Sequence, residues 1–263
     1  MKRVWEPLAG ILASAALAAG FLLAGFVGVG TLWGADSPHV RWGYRGDIGP
    51  AHWGSLDPAF AACASGTEQS PIDLSGAQSR SQPPIEFDYG PRAAEIVNTG
   101  HTIQVNLAAG SGISIDDIRY ELLQFHFHRG SEHTVAGVRF TLELHLVHRS
   151  NDGALAVIGI LYREGPANEA LAPIWDLLPS EPDTARALPD TLDLAELLPE
   201  RRTTWRYAGS LTTPPCTEGV SWAVMTEPMS LSEAQIEAFR ATYDGNYRPV
   251  QPVNDRLLTR DRR

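Results

Sequence analysis

The sequence predicts a β-rich mixed α/β fold, a single domain of short strands with a few short peripheral helices. Three observations carry this. The 263 residues are 43% apolar and 20% charged, enough apolar chain for one large core. Short runs of β-branched and aromatic residues recur, separated by glycine, proline and asparagine. Helical signals are confined to three brief segments. No internal repeat, glycine-rich phosphate loop or low-complexity tract suggests another architecture.

In chain order, residues 1–35 read as a leader and residues 36–263 as the body, with 35–38 as the junction between them. Strands are expected at 85–89, 95–98, 103–107, 112–115, 120–129, 140–148, 154–162 and 220–225, where branched and aromatic side chains suit a pleated surface. Helices are expected at 168–178, 192–198 and 230–243. The last opens with Ser230 and Glu233 at the spacing of a capping box.

The leader contains 26 residues, 8–33, without an ionisable side chain, preceded by Lys2 and Arg3. As a helix this run would be about 39 Å long, enough to cross a hydrocarbon layer of roughly 30 Å. A cleaved signal peptide has a shorter apolar region, about 7–15 residues, so the length favours an uncleaved anchor. Gly28-Val29-Gly30 nevertheless leaves cleavage open. Either way, the positive N-terminus stays inside and the body faces the periplasm or exterior. Small residues at Ala16, Gly20, Ala24 and Gly28 form a stripe, but alanine and glycine are so frequent there that chance explains it.

Formal net charge is −10, which disfavours nucleic acid and anionic lipid surfaces as partners. Cys63 and Cys216 are the only cysteines. An exported protein would permit a disulfide between them, whereas in the cytosol both would remain thiols.

The chemistry gathers at His126 and His128, in Gln124-Phe125-His126-Phe127-His128, and at His145, in Glu143-Leu144-His145. Strand side chains alternate, so His126 and His128 share one face while Phe125 and Phe127 take the other. A neighbouring strand could bring His145 to the same side. Three neutral imidazoles around one point bind Zn²⁺ and leave its fourth position open, as catalytic rather than structural zinc sites do. Taken singly, each histidine would be an ordinary hydrogen-bonded core residue. Five of the eight histidines fall between positions 126 and 148, however, and that clustering argues against chance. Gln124 and Glu143 share faces with the three and are expected to accept the second ring N–H of a ligand.

Further segments agree with a known pattern. The stretch Gln124 to Val135 (QFHFHRGSEHTV), Glu143 to His148 (ELHLVH) and Tyr207 to Pro215 (YAGSLTTPP) closely resemble the α-class carbonic anhydrases, in their bacterial form. So do Trp42-Gly43-Tyr44, Gln69 to Asp73 (QSPID) and Asn246 to Pro252 (NYRPVQP), and the likeness runs over residues 40–256 in order. It implies a large, mostly antiparallel, strongly twisted central sheet of about ten strands. It also implies reversible hydration of CO₂ to bicarbonate and a proton by zinc-activated hydroxide. Zn²⁺ would be held by His126, His128 and His145. Thr212 and Glu132 would orient the attacking oxygen, and Val147, Val157, Leu211, Thr213 and Trp222 would receive the substrate. His101 matches the proton-shuttle histidine, and Tyr44 a residue that orders water. The resemblance favours a Cys63–Cys216 bridge and leaves a homodimer open.

The chain departs from the animal pattern at Arg129, where tryptophan is common, at Thr99 and Gln104, and in a shorter segment from His128 to Glu132. These changes are expected at the cavity rim. A binding module lacking zinc is the competing reading, and the intact triad argues against it. A zinc hydrolase of another class is opposed by the absence of an H-E-x-x-H motif.

Overall fold

A computed structural model describes residues 40–262. The leader and the reading of it as anchor or signal peptide lie outside the described residues. Among those described, no helix is long and apolar enough to cross a membrane.

The body is organised on one sheet of thirteen strands among the described residues, ten of them forming its main path. In chain order these ten are β1 (Gln78–Arg80), β2 (Ala94–Asn98), β3 (Ile103–Leu107), β4 (Ile118–Arg129), β5 (Leu142–Ser150), β6 (Leu155–Glu164), β7 (Thr184–Ala187), β8 (Thr204–Ser210), β9 (Glu218–Met225) and β10 (Thr259–Asp261). Across the sheet they run β1-β10-β8-β9-β6-β5-β4-β3-β2-β7, with Glu86–Asp88, Gly112–Ile115 and Met229–Leu231 pairing off this path. The sheet is mixed. β6 runs parallel to β9 and to Met229–Leu231, and β1 parallel to β10, while the other pairs are antiparallel. A parallel partner for β6 requires a long crossover, and residues 165–217 supply it before the chain re-enters as β9.

The helices are shorter than their sequence pattern suggests. The segment 168–178 divides into a 3₁₀ turn, Glu169–Leu171, and one α-turn, Ala172–Trp175. At 192–198, Leu192–Asp193 pairs as strand with Pro91–Arg92 and a 3₁₀ turn, Leu194–Leu197, follows. The expected cap at Ser230 and Glu233 is displaced by two residues, because Ser230 is taken up as strand beside Arg163. Ser232 and Gln235 form the capping box of the helix Glu233–Thr242.

One face of β4, β5 and β6 supplies Phe125, Phe127, Leu144, Leu146, Ile158 and Ile160 to the main core. The opposite face carries the histidines. β4 does not alternate throughout, however. Its pairing with β5 passes from Val147↔Gln124 to His148↔Leu122, a bulge that leaves Leu123 as the extra residue. Tyr120 and Leu122 therefore join Phe125 and Phe127 in the core.

Candidate metal centre

Pairing of β4 with β5 sets His145 directly across from His126 and Glu143 across from His128. One potential ligand atom from each of His126, His128 and His145 lies within 4.8 Å of the others. Which nitrogen each ring offers follows from its other bond. His126 Nδ1 donates to Gln124 Oε1 at 2.9 Å, and His128 Nδ1 donates to the Asn246 carbonyl at 2.7 Å. His145 Nε2 donates to Glu143 Oε1 at 3.0 Å. This leaves Nε2, Nε2 and Nδ1 as the converging lone pairs.

Burial holds His126 well below the ordinary imidazole pKa, aided by the neighbouring His128 and His145. Burial also lowers His128, with Glu132 opposing. Both rings are thus neutral at neutral pH, the state a metal ligand needs. His128 Nε2 is buried without any hydrogen-bond partner. An orphaned buried ring nitrogen is costly unless something binds it. The donor set fits Zn²⁺, which takes three imidazoles and one further ligand in catalytic sites.

Glu143 is fully buried and accepts from His133 as well, through the backbone N–H at 2.9 Å and Nδ1 at 2.7 Å. Burial would raise its pKa, but His133 and His145 hold it well below the usual carboxylate range. Gly159, paired with His145, makes room for this carboxylate: a Cβ there would come within 3.0 Å of Glu143 Oε1.

Glu132 lies beside the triad, its Oε2 at 3.5 Å from His128 Nε2 and 3.9 Å from His145 Nδ1. Its Oε1 accepts the Arg248 backbone N–H at 2.7 Å, whereas Oε2 has no hydrogen-bond partner. The Thr212–Glu132 bond implied by the resemblance is therefore not formed here; Oε2 is turned toward the two imidazoles instead. Thr212 itself is buried.

Val147 pairs with Val157 and Val157 with Trp222, so the three form a row across β5, β6 and β9 on the histidine face. The Trp222 ring centroid is 4.9 Å from that of His145. Leu211 is buried and Thr213 half-buried, both in the turn that follows β8. His101, also half-buried, packs against Trp42 with ring centroids 3.7 Å apart. Burial lowers its pKa from the usual 6.5, and Asp183 opposes this. Tyr44 lies against the same Trp42 at 5.7 Å.

Gln104 pairs with His126 and so shares its face, and Thr99 closes the turn that holds His101, donating from Oγ1 to the Thr102 carbonyl at 3.1 Å. Arg129 corrects the expectation of a rim position. Alternation puts it on the face of Phe127, and its guanidinium donates to Asp244 at 2.7 Å. Cys63 and Cys216 are bridged, with Cα atoms 5.0 Å apart.

Sequence reasoning did not single out His133, Asn246 or Arg248. Asn246 and Arg248 act here through backbone atoms, which no side-chain pattern encodes. His133 follows Glu132 directly, and its burial between Glu143 and Tyr207 was the missing signal.

The family model for eukaryotic-type carbonic anhydrases matches residues 48–262. The chain belongs to that family. It is an enzyme, a carbonate dehydratase, and its similarity to bacterial members of the family is substantial. A carbonic anhydrase from Nostoc sp. is 47% identical over 230 residues, covering 85% of this chain and 87% of the relative. One from Pectobacterium atrosepticum is 40% identical over 223 residues, covering 84% and 91%. The solved α-carbonic anhydrase of Thermovibrio ammonificans, in complex with the inhibitor sulfanilamide, superposes with a TM-score of 0.82 at 43% identity, covering 84% of this chain and 99% of that one.

Proposed function

We infer that the chain hydrates CO₂ reversibly at a Zn²⁺ ion held by His126, His128 and His145. The observation that carries this is the convergence of three ring nitrogens, one of them buried without a partner, beside an apolar wall. Bound there, zinc supplies a Lewis acid that makes a water acidic enough to lose its proton near neutral pH.

The chain's own residues do the rest. Gln124, the Asn246 carbonyl and Glu143 fix the ring orientations. For the Thr212 hydroxyl to accept the proton of the attacking oxygen in a hydrogen bond and give its own to Glu132, Glu132 Oε2 has to turn from the imidazoles it faces here toward Thr212. Glu132 Oε2 is the acceptor free to take it. That directs a lone pair toward carbon. Val147, Val157, Leu211 and Trp222, with Thr213 at their edge, receive CO₂, which has no net dipole and needs no polar grip. His101 exports the proton, a role that suits an imidazole because its ordinary pKa lies near neutrality; burial lowers that pKa here and Asp183 opposes the shift. Tyr44, beside Trp42, orders the water through which the proton travels.

The disulfide supports an oxidising compartment, hence a periplasmic or extracellular body behind an anchor or a cleaved signal peptide. Mass analysis of the native N-terminus decides between the two. The test of the activity is zinc content together with CO₂ hydration of purified protein. One zinc per chain and chelator-sensitive hydration are expected; active protein without metal would refute the reading.

A further inference from the structure

Arg129 belongs to a cluster of three arginines that the metal chemistry leaves unused. Its Nη1 donates to Asp244 Oδ1 at 2.7 Å. Arg45 donates to the Asp244 carbonyl and lies 3.9 Å from Oδ2, while Arg240 Nε lies 3.6 Å from Oδ1. Both carboxylate separations are too long for hydrogen bonds, so the Asp244 carboxylate holds these two by charge alone. Arg240 has Glu237 as a further partner at 3.4 Å. Arg45 and Arg240 are exposed, whereas Arg129 is largely covered. Among the described residues, nothing accepts a hydrogen bond from the buried Arg129 Nε.

Three guanidiniums therefore meet two carboxylates, which makes a cationic patch on a chain of formal net charge −10. A buried donor without a partner marks the place of a missing acceptor. A guanidinium edge with open N–H groups matches the paired oxygens of an oxyanion, and a local positive field concentrates anions near it.

Two routes join this patch to the turn that bears His101. The Asn246 side chain accepts from the Arg129 backbone N–H at 2.8 Å and donates to the His101 carbonyl at 3.1 Å. Arg45 follows Tyr44, and the Tyr44 and His101 rings both pack on Trp42.

We propose that Arg45, Arg129 and Arg240 form a docking site for a small oxyanion of the hydrogen phosphate type, which takes the proton that His101 exports. The inference rests on the reading of His101 as the shuttle. In the step, an imidazolium N–H bond breaks and an O–H bond forms on the anion. HPO₄²⁻ thus leaves as H₂PO₄⁻ and His101 returns to its neutral form. Loss of one negative charge loosens the anion's hold on the arginines, so the spent acceptor departs.

The test is stopped-flow CO₂ hydration by the zinc-loaded full chain at neutral pH and constant ionic strength, with either phosphate or imidazole as proton acceptor. The two bases are similar in strength and differ in charge. In the wild type, kcat is expected to saturate at a lower concentration of phosphate than of imidazole. Arg45→Gln with Arg240→Gln should raise the half-saturating phosphate concentration about tenfold, with the imidazole curve and kcat/KM unchanged. Equal phosphate dependence in both proteins, or a loss in both buffers alike, overturns the proposal. A second readout needs no turnover: phosphate added to the ¹⁵N-labelled chain should shift the Arg129 Nε resonance in the wild type, and at the same concentration leave it in place in the double variant. An unmoved wild-type resonance also overturns the proposal. Bicarbonate saturating that resonance at lower concentration than phosphate overturns the acceptor role, since the site would then hold product. A wild type that hydrates no CO₂ would sink the activity reading instead, and the titration would still judge the site.

Discussion

Removing the Cys63–Cys216 bridge, by Cys63→Ser with Cys216→Ser, should destabilise the body without dismantling the metal centre. The bridge spans a sequence separation of 153, for which the chain-entropy relation gives about 5 kcal/mol at 25 °C. Removal of native disulfides typically costs about 2–5 kcal/mol, so the relation marks the upper end. Each kcal/mol moves Tm by roughly 2–4 °C in a domain of this size, which gives a drop of about 4–20 °C. The native geometry near the cysteines has other supports. Arg248 donates to the carbonyls of Cys63 and Ser70 and to Gln69 Oε1, each at 2.8 Å, and Gln69 donates to the Cys216 carbonyl at 3.0 Å. CO₂ hydration at low temperature should therefore persist. The assay is denaturant unfolding of oxidised wild type and double variant, with m-values compared because the uncrosslinked unfolded chain is more expanded. Equal midpoints would refute the entropic argument, and loss of zinc at 10 °C would refute the claim that Arg248 and Gln69 hold the region unaided.

Four further outcomes are expected. His145→Ala should lose most zinc and activity, whereas His148→Ala, on the core face beside Tyr89, should keep its zinc and lose stability; equal zinc loss by mass spectrometry would mean the strand phase is misread. Thr212→Ala should retain zinc and lower kcat/KM by on the order of 2–4 kcal/mol of transition-state stabilisation, and stopped-flow hydration at the wild-type rate would remove its orienting role. His101→Ala should lower kcat in weak buffer with kcat/KM nearly unchanged, and imidazole should restore it; normal kcat in weak buffer would end the shuttle assignment. Burial depresses His148 to a pKa of about 3, so between that value and the unfolded 6.5 only the unfolded chain binds the proton. Stability should fall as pH drops through this window, by up to roughly 4–5 kcal/mol, and the slope should flatten in His148→Gln. Urea midpoints at pH 7, 6, 5 and 4 for both proteins check the sign.

The site was legible where side-chain pattern alone encodes it. The alternation of histidine with phenylalanine in β4 separates the histidine face from the core face, and the ring contacts of Gln124 and Glu143 follow the same parity. Strands β3 and β6 were visible because branched residues fill them. Strand β8 was not, since Thr-Trp-Arg-Tyr-Ala-Gly-Ser has no clean period and takes its place by pairing with β9. The edge strands β1 and β7 are short and largely exposed, and β10, between β1 and β8, has only three residues, so no apolar rhythm marks them. The bulge at Leu123 also escaped, because register depends on a partner strand. The third orienting acceptor, a backbone carbonyl of Asn246, is invisible to any reading of side chains.

The two faces of β4 bind the fate of the metal centre to that of the core. Phe125 and Phe127 fill the interior in the same strand positions that make His126 and His128 point outward. A slip of one residue would drive both imidazoles into the hydrocarbon interior and expose both phenyl rings. The main core therefore works as a proofreader of ligand placement: a chain with a misregistered site cannot also be well packed. Any single-residue deletion between Gln124 and His128 should be lost as misfolded protein rather than recovered as a stable, metal-free body.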